Sequence, residues 1–259
     1  MPFEEKSDIS LIWQACCEEV RPGLLGGTLF RIVENQEQIA TRRLVDGDLD
    51  QLEVLEHLLE SAKPPRVPGT ELMHYLLATP WRYPPLRYGS RFGRRHEPSL
   101  FYGGTSLDVT LAEGAYYRCV LFQDMSVPPA KPIASQHTIY QAEYRTESGL
   151  QLQRPPFDHY RELLTHPSSY AETQALGSAL RATGVQAIQY RSARDKCQLG
   201  INVALFQPAA LVSRNPLEPE RWMCSTDGDK VVFRKSAGGE MVRFAVEDFR
   251  VAGQLPRPA

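Results

Sequence analysis

Apolar residues recur three or four positions apart in several stretches of the chain, the spacing that places them on one face of a helix. The clearest stretch is 48–62, whose stripe consists of Leu49, Leu52, Leu55, Leu58 and Leu59. Another predicted helix begins with Asp8 as its cap and ends at Pro22-Gly23. Residues 71–79 predict a third helix, which Pro80 closes.

Two further helices are predicted by their ends as well as by their apolar positions. One starts at Thr105, followed by Asp108 in a capping-box-like arrangement, and continues through "LAEGAYYRCVLF". The other covers 169–184, with Gly184 as the residue that takes the left-handed conformation after the helix.

Short runs rich in β-branched and aromatic residues predict strands at 28–34, 99–105, 137–145, 185–190 and 201–206. The last run is almost wholly apolar, which indicates a central place in a sheet. Residues 230–246 predict a hairpin that turns at Ala237-Gly238-Gly239. Helices and short strands mix without regular βαβ alternation, so the expected fold class is α+β.

The composition fits one globular domain over residues 1–259, since the chain has no internal repeat and no low-complexity linker. It carries 29 Lys and Arg against 31 Asp and Glu. A surface that binds nucleic acid usually brings a clear basic excess, so this balance predicts no direct nucleic-acid partner.

The remaining composition argues against metal and membrane sites. Five scattered cysteines and six histidines form none of the familiar zinc spacings, so we expect no metal. The first ten residues, "MPFEEKSDIS", are acidic, and no apolar run approaches 18 residues. The expected location is therefore the cytoplasm, with no membrane partner.

Five arginines fall within residues 82–95, "RYPPLRYGSRFGRR". Arg91 lies between Gly89 and Gly93, whose small size lets a ligand come close, and a guanidinium group can bind a pyrophosphate through two hydrogen bonds. We predict surface or ion-pair roles for Arg87, Arg94 and Arg95.

Four other residues are candidates for chemistry, each with an ordinary structural alternative. Glu113 lies in a strip of apolar and small residues, where a carboxylate is either paired or functional. Ser192 follows a strand between two arginines, as a turn residue or as an anion contact. Arg31 suits a strand-edge ion pair or a ligand contact, and Tyr102 suits the core or a ligand contact.

Taken together, these segments resemble the RES-domain family, the toxin halves of bacterial RES–Xre toxin–antitoxin pairs. The motifs that carry the resemblance are "LFRI", "RYPPLRYGSRFG", "LFYGGTSLDVTLAEGAYYR" and "TGVQAIQYRSARDKCQLGINVALFQP". The likeness covers a core of about residues 28–210, with N-terminal helical elaborations at 8–27 and 48–79 and a C-terminal hairpin extension at 213–259. The arginine, glutamate and serine that name the family are placed at Arg31, Glu113 and Ser192, and Arg91 also matches a family position.

The resemblance implies an ADP-ribosyltransferase-like fold and an enzyme that consumes NAD as a substrate, with no bound cofactor. Glu113 would act at the ribose during cleavage of the nicotinamide–ribose bond, and Arg31 and Arg91 would hold the pyrophosphate. Tyr102 would pack on the nicotinamide, while Ser192 would bind its amide or a phosphate. An Xre-type antitoxin is the implied protein partner, and an oligomer is compatible with the family.

Two other functions remain open at this point. The same site suits a mono-ADP-ribosyltransferase that modifies a protein, because water, phosphate and a protein side chain can each serve as the acceptor of ADP-ribose there. A non-catalytic NAD-binding module would keep the pocket but not turn over NAD. The complete set of Arg, Tyr, Glu and Ser argues against this alternative.

Overall fold

The computed structural model describes residues 10–35, 45, 48–197 and 199–258. Within them, strands and helices mix as predicted, and the α+β class is confirmed. The strands are β1 (Gly23–Glu34), β2 (Phe101–Gly104), β3 (Ile133–Gln151), β4 (Ala187–Arg191), β5 (Ile201–Leu205), β6 (Leu217–Thr226), β7 (Lys230–Lys235) and β8 (Met241–Ala245). The α-helices are α1 (Leu11–Cys16), α2 (Leu49–Ser61), α3 (Tyr75–Arg82), α4 (Leu107–Gln123), α5 (Arg161–Leu164) and α6 (Ala171–Ala182). Short 3-10 helices occupy Phe157–Tyr160, Pro208–Ala210 and Val246–Phe249.

The sheet closes a ring of five strands at one end. β1 runs antiparallel along β3 and joins β2 through a single register pair, Phe30 with Gly104. β2 pairs with β5, β5 with β4, and β4 lies parallel to the end of β3, which completes the ring. As expected, β5 is internal, and Asn202 to Leu205 are buried.

The sheet branches at β3. One edge of β3 pairs with β1 from His137 to Gly149, whereas the opposite edge changes partner. Its first part, from Ile133 to Gln141, pairs with β6, and its last part, from Gly149 to Gln151, pairs with β4. β7 and β8 extend the β6 side and form the predicted hairpin, in which Gly238 and Gly239 have positive φ angles.

Two strands are longer than their sequence patterns predicted. β1 begins at Gly23 rather than at residue 28, and β3 extends over 133–151 rather than 137–145. The two strands form backbone hydrogen bonds with each other along the ladder. This pairing keeps the ends of β1 and β3 extended, although their glycine-rich and polar sequences lack a strand pattern.

The predicted helix α1 is shorter, and its described cap is Ser10, whose Oγ accepts from the Trp13 N–H at 3.2 Å. The predicted cap, Asp8, lies outside the described residues. Helix α2 has nearly the predicted bounds and is capped by Asp48. None of its residues is buried, so its leucine stripe does not enter the core.

The prediction that Pro80 closes a helix over 71–79 is wrong, because α3 begins at Tyr75 and contains Pro80. Proline has no N–H to donate to the carbonyl of Leu76, four residues earlier. The Tyr140 hydroxyl donates to that carbonyl instead, at 2.9 Å. A side chain from β3 therefore supplies the bond that proline removes from the helix.

The cap of α4 is Ser106, not Thr105. The Ser106 Oγ accepts from the Val109 N–H at 3.4 Å, while the hydroxyl and amide of Thr105 donate to the carbonyl of Ile201 at 3.0 and 2.8 Å. Thr105 thus belongs to the β2–β5 ladder. Gly184 follows α6 with a φ of 78°, as predicted. No helix among the described residues is long and apolar enough to cross a membrane.

Candidate functional site

A cavity of about 420 Å³ lies between the five-strand ring and helix α4. Its walls combine aromatic rings, glycines and three charged side chains, from β1, β2, β4, β5, α4 and the loops before β2 and α6. The lining residues are Phe30, Arg31, Ile32, Leu86, Ser90, Arg91, Tyr102, Gly103, Gly104, Thr110, Glu113, Gly114, Tyr117, Tyr170, Tyr190 and Asn202.

One register row of the sheet forms part of the cavity wall. Phe30 of β1 pairs with Gly104 of β2, Gly104 with Asn202 of β5, and Asn202 with Tyr190 of β4. All four line the cavity. Since side chains on paired positions share one face of a sheet, this face is turned toward the cavity.

Glycine at the end of β2 lets helix α4 lie close to that row. A Cβ on Gly104 would come within 2.6 Å of the Thr110 Oγ1, which is closer than real side chains approach. The Thr110 hydroxyl itself lies 3.3 Å from the carbonyl of Phe30 and 2.9 Å from that of Ser106. The close approach brings Glu113, one turn further along α4, to the cavity.

Glu113 is held by two neutral donors. The Ser192 Oγ and the Asn202 Nδ2 both donate to its Oε1, each at 2.7 Å. Because both bonds fall on the same oxygen, they orient the carboxylate without occupying Oε2. The predicted candidate therefore lies at a cavity with its side chain oriented from two neighbouring strands.

Ser192 reaches the cavity through Glu113 and does not itself line it. Its side chain is buried, and its hydroxyl accepts from the backbone N–H groups of Arg194 and Asp195 at 3.1 and 3.2 Å while it donates to Glu113. Its single proton is thus directed to the carboxylate. This places Ser192 behind Glu113. The direct contact with the nicotinamide amide or a phosphate that the resemblance implies for Ser192 stays a prediction.

Arg31 lies on β1, lines the cavity and links β1 to β2. Its Nη1 donates to the carbonyl of Tyr102 at 2.5 Å, and its guanidinium lies 4.9 Å from the centre of the Phe101 ring. The Nε is buried and has no hydrogen-bond partner among the described residues. Arg31 therefore forms part of the cavity wall and reinforces strands that share one register pair.

Arg91 is buried and lies 4.5 Å above the Tyr170 ring, and both residues line the cavity. Its Nη1 donates to the carbonyls of Leu164 and His166 at 3.2 and 3.0 Å. Arg91 therefore holds the segment before α6 in addition to presenting charge. Elsewhere in 82–95, Arg82 forms an ion pair with Glu60.

Tyr102 lines the cavity and holds the loop that carries Arg91. Its hydroxyl accepts from the Phe92 N–H at 3.1 Å and lies 2.9 Å from the Ser90 Oγ. Burial raises the pKa of Tyr102 to about 12, so the phenol is neutral at physiological pH. It offers the cavity an aromatic face rather than a charge.

The sequence did not single out Asn202 or Tyr170. Asn202 is a buried polar residue in a strand that is otherwise apolar, a signal that was available in "INVALF". Tyr170 gave no such signal, because only the tertiary fold places its ring beneath Arg91.

The cavity suits an anionic ligand with flat rings, since two arginines and several aromatic residues line it together with one carboxylate. Among the described residues, no group of three or more His, Cys, Asp or Glu side chains is placed to hold a metal ion.

Residues 63–227 match the family model described as the RES domain, which is more than half of the chain. The match includes β2, α4, β4 and β5, and hence most of the cavity walls. RES domains are associated with toxin–antitoxin pairs and with NAD. No curated protein matches the chain.

Proposed function

The chain belongs to the RES-domain family, and from this premise we propose that it is a toxin-like enzyme that consumes NAD by cleaving the nicotinamide–ribose bond. The observation that carries the proposal is the Glu113 carboxylate, oriented at the cavity by Ser192 and Asn202. Both partners are neutral, so the negative charge remains available to a cationic centre.

That charge suits the proposed chemistry. Cleavage breaks the bond between the ribose C1′ and the nicotinamide nitrogen, and the bonding electron pair goes to the departing ring, which becomes neutral. The ribose then develops positive charge, as in glycoside hydrolysis. Oε2 of Glu113 would accept a hydrogen bond from a ribose hydroxyl, and the negative charge of the carboxylate would stabilise the positive charge on the ribose. An oxygen of water or phosphate bonds to C1′ and releases its proton to the solvent.

The other walls fit the rest of the substrate. Arg31 and Arg91 would neutralise the pyrophosphate, since both line the cavity and are already oriented by backbone carbonyls. Tyr102 would pack on the nicotinamide ring, a role that its neutral phenol and cavity-facing position support. Ser192 would act by orienting Glu113.

We also propose an ADP-ribosyltransferase-like fold, a cytoplasmic location and neutralisation by an Xre-type antitoxin. A mixed sheet that branches at β3 beside the cavity supports the fold assignment. A partner is expected because an unchecked enzyme of this kind would deplete the NAD of its own cell. An antitoxin that covers the cavity would prevent this.

The proposal is tested by incubating the purified protein with NAD and measuring nicotinamide, with and without inorganic phosphate. Release that requires phosphate identifies a phosphorylase, and release without it a glycohydrolase. A parallel incubation adds labelled NAD to a cell lysate, where label attached to protein would instead identify an ADP-ribosyltransferase. Folded protein that binds NAD but yields neither nicotinamide nor labelled protein would contradict the proposal.

A further inference from the structure

We infer that Asn202 is a positioning residue for the proposed cleavage, holding the Glu113 carboxylate in the orientation that the reaction uses. The inference rests on the proposed function and adds a residue that the motif resemblance did not supply.

The placement of Asn202 follows from strand register. It pairs with Gly104 on one side and Tyr190 on the other, and all three line the cavity. The next residue, Val203, points to the opposite face and joins a different part of the core. Asn202 therefore faces Glu113 from a central strand whose backbone is paired on both edges.

The direction of the hydrogen bond is determined by chemistry. An ionised carboxylate only accepts, so the Asn202 amide presents its NH₂ group to Glu113. The Ser192 hydroxyl approaches the same oxygen from the end of β4. One donor alone would allow the carboxylate to rotate, whereas two donors from adjacent strands restrict that rotation.

The burial of the Asn202 amide would be costly without a hydrogen-bond partner. Its neighbours Val203, Ala204 and Leu205 are fully buried, and an apolar side chain at residue 202 would suit this strand. The amide is buried as well, and its described hydrogen bond goes to a carboxylate at the cavity. The hydrogen bond to Glu113 therefore both compensates the burial of the amide and orients the carboxylate.

The test is a double-mutant cycle on nicotinamide release, using wild type, Asn202→Ala, Glu113→Gln and the double variant. We expect Asn202→Ala to lower kcat by about 10- to 100-fold, the range for a hydrogen bond to a charged group, while KM changes by less than about threefold. Because Asn202 acts through Glu113, the double variant should be no slower than Glu113→Gln alone.

The matched control is Gln189→Leu. Gln189 is also a strand amide, and its Nε2 donates to the Tyr144 hydroxyl at 2.7 Å on the face away from the cavity. It should retain the wild-type kcat. Asn202→Asp keeps the shape of the side chain but replaces the amide donor with a second carboxylate, so its kcat should be no higher than that of Asn202→Ala. This variant replaces Asn202→Ala in the test if the alanine variant does not fold.

The outcomes separate the two proposals. If the wild type is active and Asn202→Ala or Asn202→Asp keeps the wild-type kcat, the positioning role alone is overturned. The same holds if the losses of kcat from Asn202→Ala and Glu113→Gln multiply in the double variant. A folded wild type that releases no nicotinamide would overturn the proposed function, and the positioning role with it.

Discussion

Two of the charged residues on helix α4, Glu113 and Arg118, lie in contrasting surroundings. Glu113 faces the cavity and receives hydrogen bonds from the neutral Ser192 and Asn202. Five residues later, Arg118 is buried and forms an ion pair with Glu34 at 2.9 Å, with its Nε 3.4 Å from the Thr226 Oγ1. The cation is therefore neutralised within the fold, whereas the anion at the cavity is not.

The difference indicates how to separate structural from functional charges. An ion pair that joins α4 to the end of β1 holds elements together and leaves little charge for a ligand. A carboxylate oriented by neutral groups retains its charge for a substrate that becomes positive during reaction. Four substitutions test this contrast.

The largest effect is expected for Glu113→Gln. The amide keeps the size and an acceptor oxygen, but removes the negative charge that would stabilise the developing positive ribose. We expect kcat for nicotinamide release to fall by about 10²- to 10³-fold, the typical loss for one electrostatic stabiliser, with NAD affinity nearly unchanged. Unaltered turnover in the folded variant would remove Glu113 from the mechanism.

Near the Arg118–Glu34 ion pair, acid should destabilise the fold through His137 of β3. Burial lowers the pKa of His137 to about 4, although the carboxylate of Glu34 opposes this effect and Arg118 adds to it. The unfolded chain has the ordinary histidine pKa of 6.5 and binds the proton first, so stability present above pH 6.5 is lost as the pH falls toward 4.

The loss attributable to His137 is at most about 3–4 kcal/mol, since each unit of pKa difference corresponds to roughly 1.4 kcal/mol. Urea unfolding of wild type and His137→Gln across this pH range measures it. The glutamine variant should show a flatter dependence, and equal slopes for the two proteins would refute the assignment.

Arg118→Met should lower stability without affecting the cavity chemistry. The methionine keeps an apolar stem in the buried position but leaves Glu34 without its partner. The Glu34 side chain is 54% exposed, so water can solvate it, and we expect a loss of about 1–2 kcal/mol, less than for a fully buried pair. Urea unfolding measures that loss, and nicotinamide release should match wild type. A stable but inactive variant would contradict the contrast along α4.

Arg91→Ala should have the smallest effect, mainly on substrate binding. Arg91 is a buried cation that bonds to carbonyls rather than to a carboxylate, so its charge remains available to phosphates. We expect KM for NAD to rise about tenfold, equivalent to one charge-assisted hydrogen bond. Arg82→Ala is the control, because Arg82 pairs with Glu60. NAD saturation unchanged in Arg91→Ala would exclude the phosphate role.

Local patterns predicted much of the fold. The ends of α2, the hairpin turn and the left-handed Gly184 follow from short-range chemistry that the sequence displays directly. The errors arose where tertiary contacts replaced local ones. Tyr140 compensates for Pro80 inside α3, and pairing with β5 removes Thr105 from the cap of α4. No window of sequence contains those partners.

For the site, the sequence alone identified the residue types and motifs, including Glu113, Arg91 and the glycines of β2. Which of these residues come into contact depends on the fold. It placed Ser192 behind Glu113, brought Asn202 to the same oxygen and used Arg91 to hold a distant loop. The reason is physical: Glu113 and its two partners are 79 and 89 residues apart, and the register of the sheet brings them within hydrogen-bonding distance.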